Sequence, residues 1–458
     1  MQIDQKSSDE LENIIGVEDY IRIKKYLEQA EMCLIEEKYV DKDWREEYSL
    51  FYSKTHYESV RKFTTRIHLI SEKVDKISDI NEKNYMGYIV LRPLPVCRLL
   101  KAILKPCKEV FGVLPNEDLY LCVAEFSAHI GGIQSPLKIK TFPFYQQDGM
   151  VTACAHASMR MITEYMHRKF GYPPATIRDF VQSTPTEHGR VIPITGLSGD
   201  EMLHILTNLG YVMSPITDLY YSEITDEVVE SIIRRIDAYL ESGLPTILGF
   251  DAHVIVIAGH TLDDKGNRDY IIYDDSGYHI EQTFRKEPNI VARITKDELI
   301  NCLTNTKNIL AVNVEFSRLH FPLSSVVYLT KIILDEYLRD IGDIVTRCRY
   351  LVVDSREFKI FCNKYGLTVF NNVSLPHYLW LVEAYVNNDL ICDFIIDASA
   401  HKWDYENSLI AIWTCDGSVN FVSNNIVNFL YVSSKDKKSK FTVGAGPRQY
   451  SNLYKVRW

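Results

Sequence analysis

Hydrophobic positions change from helical to extended spacing in the first third of the chain. Between about Glu10 and Glu37, apolar residues recur on one side of a helix. These residues are Leu11, Ile15, Tyr20, Ile23 and Leu27. From Ser59 to Lys140, runs rich in Val, Ile, Leu, Phe and Tyr predict strands. The strand-like runs are Thr64–Ile70, Gly87–Leu91, Leu119–Phe126 and Leu137–Phe142. The pattern predicts an N-terminal α+β module over residues 1–140.

The next region, residues 141–318, has helical segments first and strands afterwards. The helical segments are Thr152–His167, Thr176–Gln182, Gly199–Leu209 and Glu227–Leu240. The strand-like runs are Thr246–Phe250, His253–Ala258, Tyr270–Tyr273 and Ile309–Val314. Helices followed by an antiparallel sheet predict a segregated α+β arrangement instead of alternating βαβ units.

The last region, residues 319–458, is predicted to be a C-terminal α+β accessory domain. A helix is expected near Ser324–Arg339, with strands at Asp393–Ile396 and Leu409–Trp413. The aromatic-rich segment Pro376–Glu383 is interpreted as a buried helix. A chain of 458 residues is long enough for about three domains, which agrees with this division.

Composition and charge narrow the functional classes. The net charge is -10 without a block of like charge, which argues against a nucleic-acid-binding face and weakly favours a basic partner. No signal peptide or membrane-spanning run is recognisable. Ten scattered cysteines, without a C-x-x-C pair or histidines at metal-binding spacing, predict free thiols in a reducing, cytoplasmic setting. Neither a metal nor a cofactor is expected.

Cys154 is the first candidate for chemistry. After it, Ala155, Met159, Ile162 and Met166 form a helix stripe, with Arg160, Glu164 and His167 off the stripe. Thr152 is a plausible N-cap, which places Cys154 in the first turn of the helix. A thiol there lies at the positive end of the helix dipole, where the nucleophilic thiolate is favoured. The alternative is a cysteine that only packs.

An amide donor precedes this thiol. Gln146 or Gln147 could supply one half of an oxyanion hole, with the backbone N–H of Cys154 as the other half. The alternative is ordinary turn chemistry, which the sequence Gln-Gln-Asp-Gly also fits.

Two further segments offer a base and an acid. His253 begins a continuous apolar run, a position that suits either a catalytic base or a structural histidine. The strand Tyr270–Tyr273 ends at Asp274 and Asp275, either of which could orient an imidazole or simply form a turn. Since side chains alternate along a strand, only one of the two acids is expected to face His253. The order Cys, His, acid is the order of thiol proteases.

Together these residues resemble the C39-like family of the papain-like cysteine peptidase superfamily. That family has a Gln, a Cys that begins a helix, a His that begins an apolar strand ending in Gly, and an Asp closing another strand. Here Gln147 or Gln146, Cys154, His253, Gly259 and Asp274 occupy those positions.

The resemblance implies a papain-like core that cleaves an amide bond in a protein or peptide substrate. It assigns Cys154 as nucleophile, His253 as base, Asp274 as orienting acid and Gln147 as oxyanion donor. Asp275 stands where the family usually has Pro, so its replacement by Ala is expected to be mild.

Several alternatives remain open. The same triad order serves acyl or peptidyl transfer to an amine, and a papain-like scaffold can also act as a non-catalytic binding or regulatory protein. His156 is interpreted as a packing or capping residue. Glu383, Asp397 and His401 are a weaker candidate metal or acid–base set, because their spacing fits no known ligand pattern.

Overall fold

A computed structural model describes most of the chain in two compact units. The described residues are 2–4, 8–56, 60–184, 196–215, 225–250, 253–306, 309–337, 345–387, 389–401, 405–414, 419–422 and 450–458. Unit 1 comprises Met1–Val229, Pro245–Val314 and Tyr454–Trp458; unit 2 comprises Glu230–Leu244 and Glu315–Leu453. The finer division into residues 1–140, 141–318 and 319–458 stays a prediction.

The described residues form a mixed α+β structure. Its α-helices are α1 Ser8–Ile15, α2 Val17–Leu27, α3 Lys42–Leu50, α4 Lys108–Phe111, α5 Cys154–Phe170, α6 Ile177–Ser183, α7 Gly199–Asn208, α8 Asp226–Glu241, α9 Lys296–Asn305, α10 Leu323–Ile332, α11 Ser355–Lys364 and α12 Tyr405–Ser408. Short 3-10 turns lie at Tyr52–Lys54, Ile77–Asp79 and Val369–Asn372, and π-helical turns at His279–Thr283 and Ile333–Tyr337.

The strands pair in antiparallel fashion into four sheets. In chain order they are β1 Gln2–Asp4, β2 Met32–Tyr39, β3 Thr64–Ile70, β4 Tyr85–Leu91, β5 Leu99–Leu104, β6 Glu117–Leu121, β7 Ala124–Ala128, β8 Leu137–Thr141, β9 Phe144–Tyr145, β10 Val212–Pro215, β11 Thr246–Phe250, β12 His253–Asp263, β13 Asp269–Tyr273, β14 Val291–Thr295, β15 Ile309–Glu315, β16 Arg347–Asp354, β17 Tyr378–Val386, β18 Asp389–Asp397, β19 Leu409–Thr414, β20 Val419–Phe421 and β21 Tyr454–Lys455.

The two largest sheets belong mainly to unit 1. The first has six strands in the order β1-β2-β3-β4-β5-β9. The second has eight strands: the order β10-β15-β11-β12-β13-β14 is extended by β6, which pairs with β12 and β21. A two-stranded β7-β8 ribbon and a five-stranded sheet, β16-β17-β18-β19-β20, complete the set. Most of the predicted helices and strands agree with these bounds within a few residues.

Three predicted elements were wrong. The helix expected over Glu10–Glu37 is interrupted by Gly16 at φ 93° and ends at Leu27, after which β2 pairs with β1 and β3. The segment Pro376–Glu383 is not a helix, because β17 is a central strand buried on both faces, where helix and strand periods look alike. The run Leu119–Phe126 divides into β6 and β7, which join different sheets.

Strand β12 forms the centre of the large sheet of unit 1. Its residues from His253 to Thr261 are buried, which explains the unbroken apolar run in the sequence. The strand continues past Gly259 to Asp263 instead of ending at the glycine. A Cβ atom at Gly259 would lie 2.5 Å from the carbonyl oxygen of Tyr120, so the close approach of β6 requires glycine there.

Helix α5 packs on β12 and is buried all round as far as Met166. The sequence predicted that Arg160 and Glu164 would lie off the apolar stripe, yet both are buried. Their charges are paired, since Nη1 of Arg160 donates to Glu164 at 2.7 Å and its Nε donates to Asp43 of α3 at 2.8 Å. These ion pairs fix the helix that begins with Cys154 against the N-terminal residues.

Unit 2 has its own core beneath the five-stranded sheet. Leu351, Leu379, Ile395 and Trp413 from the strands meet Phe358 of α11 there. Within the described residues of both units, no helix combines the length and apolar character needed to cross a membrane.

Candidate active site

Cys154 is the first residue of α5, and its free thiol is half-buried. Ala153 is the N-cap residue, and its N–H donates to Nδ1 of His156 at 3.3 Å. His156 is therefore the capping residue, whereas Thr152 was wrongly expected to fill that role. The first N–H groups of a helix have no acceptor within the helix, so the N–H of Cys154 can face a developing negative charge.

Thr152 instead belongs to a loop organised by Asp148. Oδ1 of Asp148 accepts from the N–H groups of Met150, Val151 and Thr152 at 3.1, 2.9 and 2.8 Å. Its Oδ2 accepts from the hydroxyl of Tyr52 at 2.8 Å. The loop that leads into Cys154 is thus held by one buried carboxylate.

Replacing Asp148 with alanine is expected to loosen this loop. Several buried N–H groups would lose their acceptor, and we expect the free energy of unfolding to fall by about 2–4 kcal/mol. Labelling of Cys154 by iodoacetamide should also slow. Asp264, exposed in the β12–β13 turn, provides the matched control, since Asp264→Ala should change neither quantity. Unchanged labelling and stability in Asp148→Ala would contradict this role of the loop.

His253 and the two aspartates meet because β12 and β13 are antiparallel. The register pairs Val256 with Tyr273, which brings the beginning of β12 beside the end of β13. Nε2 of His253 lies 2.8 Å from Oδ1 of Asp274 and 3.2 Å from Oδ1 of Asp275. The expectation that only one acid can face His253 was wrong, because β13 ends at Tyr273 and strand alternation no longer governs the next two residues.

Asp274 is fully buried and its carboxylate is saturated with donors. Besides His253, it accepts from the backbone N–H groups of the turn that follows. Those donors are Ser276 at 3.3 Å, Gly277 at 3.0 Å, His279 at 2.7 Å and Ile280 at 3.1 Å. Burial raises the pKa of Asp274, but His253, the N–H of Ile280 and the charge of Arg22 outweigh burial and hold the pKa below its usual value.

The imidazole of His253 is strongly biased toward the protonated form. Burial lowers its pKa, but the interactions with Asp274, Asp275 and the thiol of Cys154 outweigh burial and raise the pKa to about 12. Since Nε2 faces the carboxylates, Nδ1 is the ring nitrogen available to the thiol. An imidazolium beside a cysteine is the arrangement that stabilises a thiolate.

The stability of the protein should depend on pH through this pair. In the unfolded chain the pKa of His253 is about 6.5. Because folding raises this pKa, the contribution of His253 to the free energy of unfolding is complete below about pH 6.5 and is lost as the pH rises toward about 12. The lowered pKa of Asp274 means that its contribution is present above about 3.9 and is lost at lower pH.

We therefore expect the stability advantage of wild type over His253→Gln to shrink as the pH rises from about 7 to about 9, by up to about 1.4 kcal/mol per pH unit. Urea unfolding at several pH values measures this difference. His204, exposed on α7, provides the control variant His204→Gln. A difference that grows with pH, or that His204→Gln reproduces, would contradict the assignment.

Residues of the N-terminal helix α2 support the acid pair. Nη2 of Arg22 donates to the backbone carbonyls of Asp274 and Asp275 at 3.1 and 2.7 Å. Asp19, one turn earlier, accepts from Nε2 of Gln146 at 3.0 Å and from the N–H of Leu99 at 2.9 Å. Sequence reasoning missed Arg22 and Asp19, because nothing in a surface-like helix far from His253 in the chain indicates this contact.

The two glutamines have different surroundings. The side-chain amide of Gln146 is buried against Asp19, so it is not directed to an oxyanion at Cys154. Gln147 donates its backbone N–H to Oδ2 of Asp275 at 3.3 Å, and its side chain is half-buried. Of the two, Gln147 keeps its side-chain amide available for the role expected of it.

The same residues are also the one group with metal-ligand geometry among those the structure describes. Ligand atoms of His253, Asp274 and Asp275 lie within 4.8 Å of one another. The oxygens of Asp274 already accept five N–H donors, one of them from the ring of His253, a pattern that suits an imidazolium partner better than a metal ion. The set Glu383, Asp397 and His401 is not such a group, because Glu383 is buried in an ion pair with Arg349.

Comparison with known proteins gives little beyond this geometry. No family model matches the chain, and no curated protein matches it. Among solved structures, UfSP from C. elegans, a papain-like cysteine protease, matches with a TM-score of 0.25 and 16% identity. The match covers 38% of this chain and 33% of that one, so the chain spans about a third of the neighbour's length. A likeness of this size decides neither fold nor function, and it leaves the C39-like resemblance without support.

Proposed function

We propose that this protein is a cysteine hydrolase of the peptidase class, with Cys154 as nucleophile, His253 as base and Asp274 as orienting acid. The observation that carries the proposal is the contact of Nε2 of His253 with Asp274 at 2.8 Å, on the strand against which the helix that begins with Cys154 packs. The thiol of Cys154 is also among the groups that raise the pKa of His253. A nucleophile, a base and an orienter in this order are what thiol catalysis needs.

In the proposed mechanism Cys154 and His253 rest as a thiolate–imidazolium pair, and the thiolate attacks the carbonyl carbon of an amide. The C–S bond forms as the carbonyl π electrons move onto oxygen, where the N–H of Cys154 and the side chain of Gln147 donate hydrogen bonds. The C–N bond then breaks and the imidazolium protonates the leaving amine. Water, deprotonated by the now neutral His253, hydrolyses the thioester and restores the thiolate–imidazolium pair.

The half-buried thiol and one exposed aromatic ring mark the accessible side of this site. The ring of Tyr278 is 53% exposed and stands edge-on to His253 at 5.8 Å. A peptide that reaches Cys154 from this side can contact Tyr278. We therefore propose a protein or peptide substrate.

The test compares wild type with Cys154→Ala on a peptide library and a cell lysate, with new N-termini read by mass spectrometry. Cleavage by wild type alone supports a peptidase. Products joined to an added amine would support acyl transfer instead. Cleavage that persists in Cys154→Ala would contradict the proposal. So would the absence of any reaction with wild type when iodoacetamide still labels its Cys154. Cys107→Ala, at a half-buried thiol away from the site, is the matched control.

A further inference from the structure

Asp275 has two contacts that a simple turn residue would not need. The residue is 1% exposed, and its two carboxylate oxygens face different parts of the site. Oδ1 lies 3.2 Å from Nε2 of His253, and Oδ2 accepts the backbone N–H of Gln147 at 3.3 Å. Oδ2 is hydrogen-bonded, whereas Oδ1 has no hydrogen-bond partner among the described residues and meets His253 as an ion pair. A buried carboxylate is costly unless partners compensate its charge, so Asp275 depends on the positive charge of His253.

The two contacts join the base to the segment that precedes the nucleophile in the chain. His253 lies at the beginning of β12, whereas Gln147 precedes the loop that leads into Cys154. Asp274 already supplies the shorter bond to Nε2, at 2.8 Å, and its other donors belong to its own turn. Asp275 is thus the acid of the pair that reaches the Gln147 segment.

We propose that Asp275 is a second positioning residue, whose carboxylate holds the His253 imidazole as a cation and fixes the peptide of Gln147 at the same time. This inference rests on the proposed function and goes beyond the triad. It replaces the expectation that Asp275 takes the place of an inert proline. Asp275 does not touch the reacting atoms; it acts through His253 and Gln147.

The charge on His253 depends on every group packed against its ring. The variants described below replace only Asp275 among these groups. Among the described residues they are Asp274, Asp275, Ser276, Cys154, Tyr278 and His279. Arg22 adds positive charge near Asp274, but its hydrogen bonds go to backbone carbonyls. Removal of one negative charge at 3.2 Å therefore makes the imidazolium easier to deprotonate.

The experiment uses the full chain with 15N-labelled histidine and the variants Asp275→Asn, Asp275→Ala and Asp264→Asn. Asp264 is the exposed control. We expect the NMR titration midpoint of His253 to fall by at least about one pH unit in both Asp275 variants. Hydrogen exchange at Gln147, measured by mass spectrometry, should speed up about tenfold or more in Asp275→Ala, and less in Asp275→Asn, which keeps an acceptor oxygen. Asp264→Asn should match wild type in both measurements.

The proposal requires both changes in Asp275→Ala and the lower His253 midpoint in Asp275→Asn, and the absence of any of these in the folded variant overturns it. If Asp275 served folding alone, its variants would have a lower melting temperature but the same NMR titration midpoint of His253 as wild type. Both measurements are made without substrate, so they stand whatever reaction the protein catalyses. Failure of the proposed function would appear separately, as turnover that survives the loss of Cys154.

Discussion

Cys154→Ser is expected to abolish turnover while leaving the fold intact. Serine is nearly isosteric and Cys154 is only half-buried, so its packing should survive. A hydroxyl is a far weaker nucleophile than a thiolate beside an imidazolium, and we expect kcat/KM to fall by at least about a thousandfold. Rates on the substrate identified by N-terminal mass spectrometry, with circular dichroism as the folding check, provide the measurement.

Cys107→Ser is the control for this variant. Cys107 is also half-buried, but burial and a hydrogen bond to Glu109 raise the pKa of its thiol to about 11, so it should stay protonated and unreactive. We expect Cys107→Ser to retain full activity. If Cys154→Ser kept wild-type rates, the nucleophile would have to be another residue.

Asp274→Ala is expected to damage both catalysis and stability. Loss of the orienter should lower kcat by about a hundredfold to ten-thousandfold, less than loss of the nucleophile. Four backbone N–H groups would also lose their acceptor, since Ser276, Gly277, His279 and Ile280 all donate to Asp274. The free energy of unfolding should therefore fall by more than about 3 kcal/mol.

Asp263 offers a matched comparison for Asp274. It also accepts backbone N–H groups in a turn, from Lys265 at 2.9 Å and Asn267 at 2.7 Å, but in an exposed hairpin. Asp263→Ala should cost little stability and no activity. Because Asp274→Ala can fail to fold, Asp274→Asn serves as the second variant, which keeps one acceptor oxygen and should lose activity with less unfolding. Full activity in folded Asp274→Asn would remove Asp274 from the triad.

The sequence predicted the proposed catalytic residues better than the residues that hold them in position. Cys154 at a helix start and His253 at a strand start follow from local apolar patterns, and these patterns depend on residues close in the chain. The pairing of His253 with Asp274 follows from the antiparallel order of two neighbouring strands. Local periodicity was sufficient for the two element starts, whereas the choice of Asp274 over Asp275 came from the family resemblance.

The errors arose where distant contacts decide the local structure. Strand alternation misplaced Asp275, because the strand ends one residue before the acid pair. The apolar residues of β17 fit a helix equally well, and only its pairing with β16 and β18 makes it a strand. Arg22 reaches Asp275 across 253 positions of the chain, a contact that no local pattern encodes.

The contact of His253 with the thiol of Cys154 is the central claim, and the labelling rate of each cysteine tests it most directly. Brief iodoacetamide treatment near neutral pH, followed by mass spectrometry, gives the rate for every thiol in wild type and in His253→Gln. We predict that Cys154 reacts fastest in wild type and that His253→Gln slows Cys154 at least about tenfold while Cys107 keeps its rate. Equal rates for Cys154 in the two proteins, or faster labelling of another cysteine in wild type, would contradict the account.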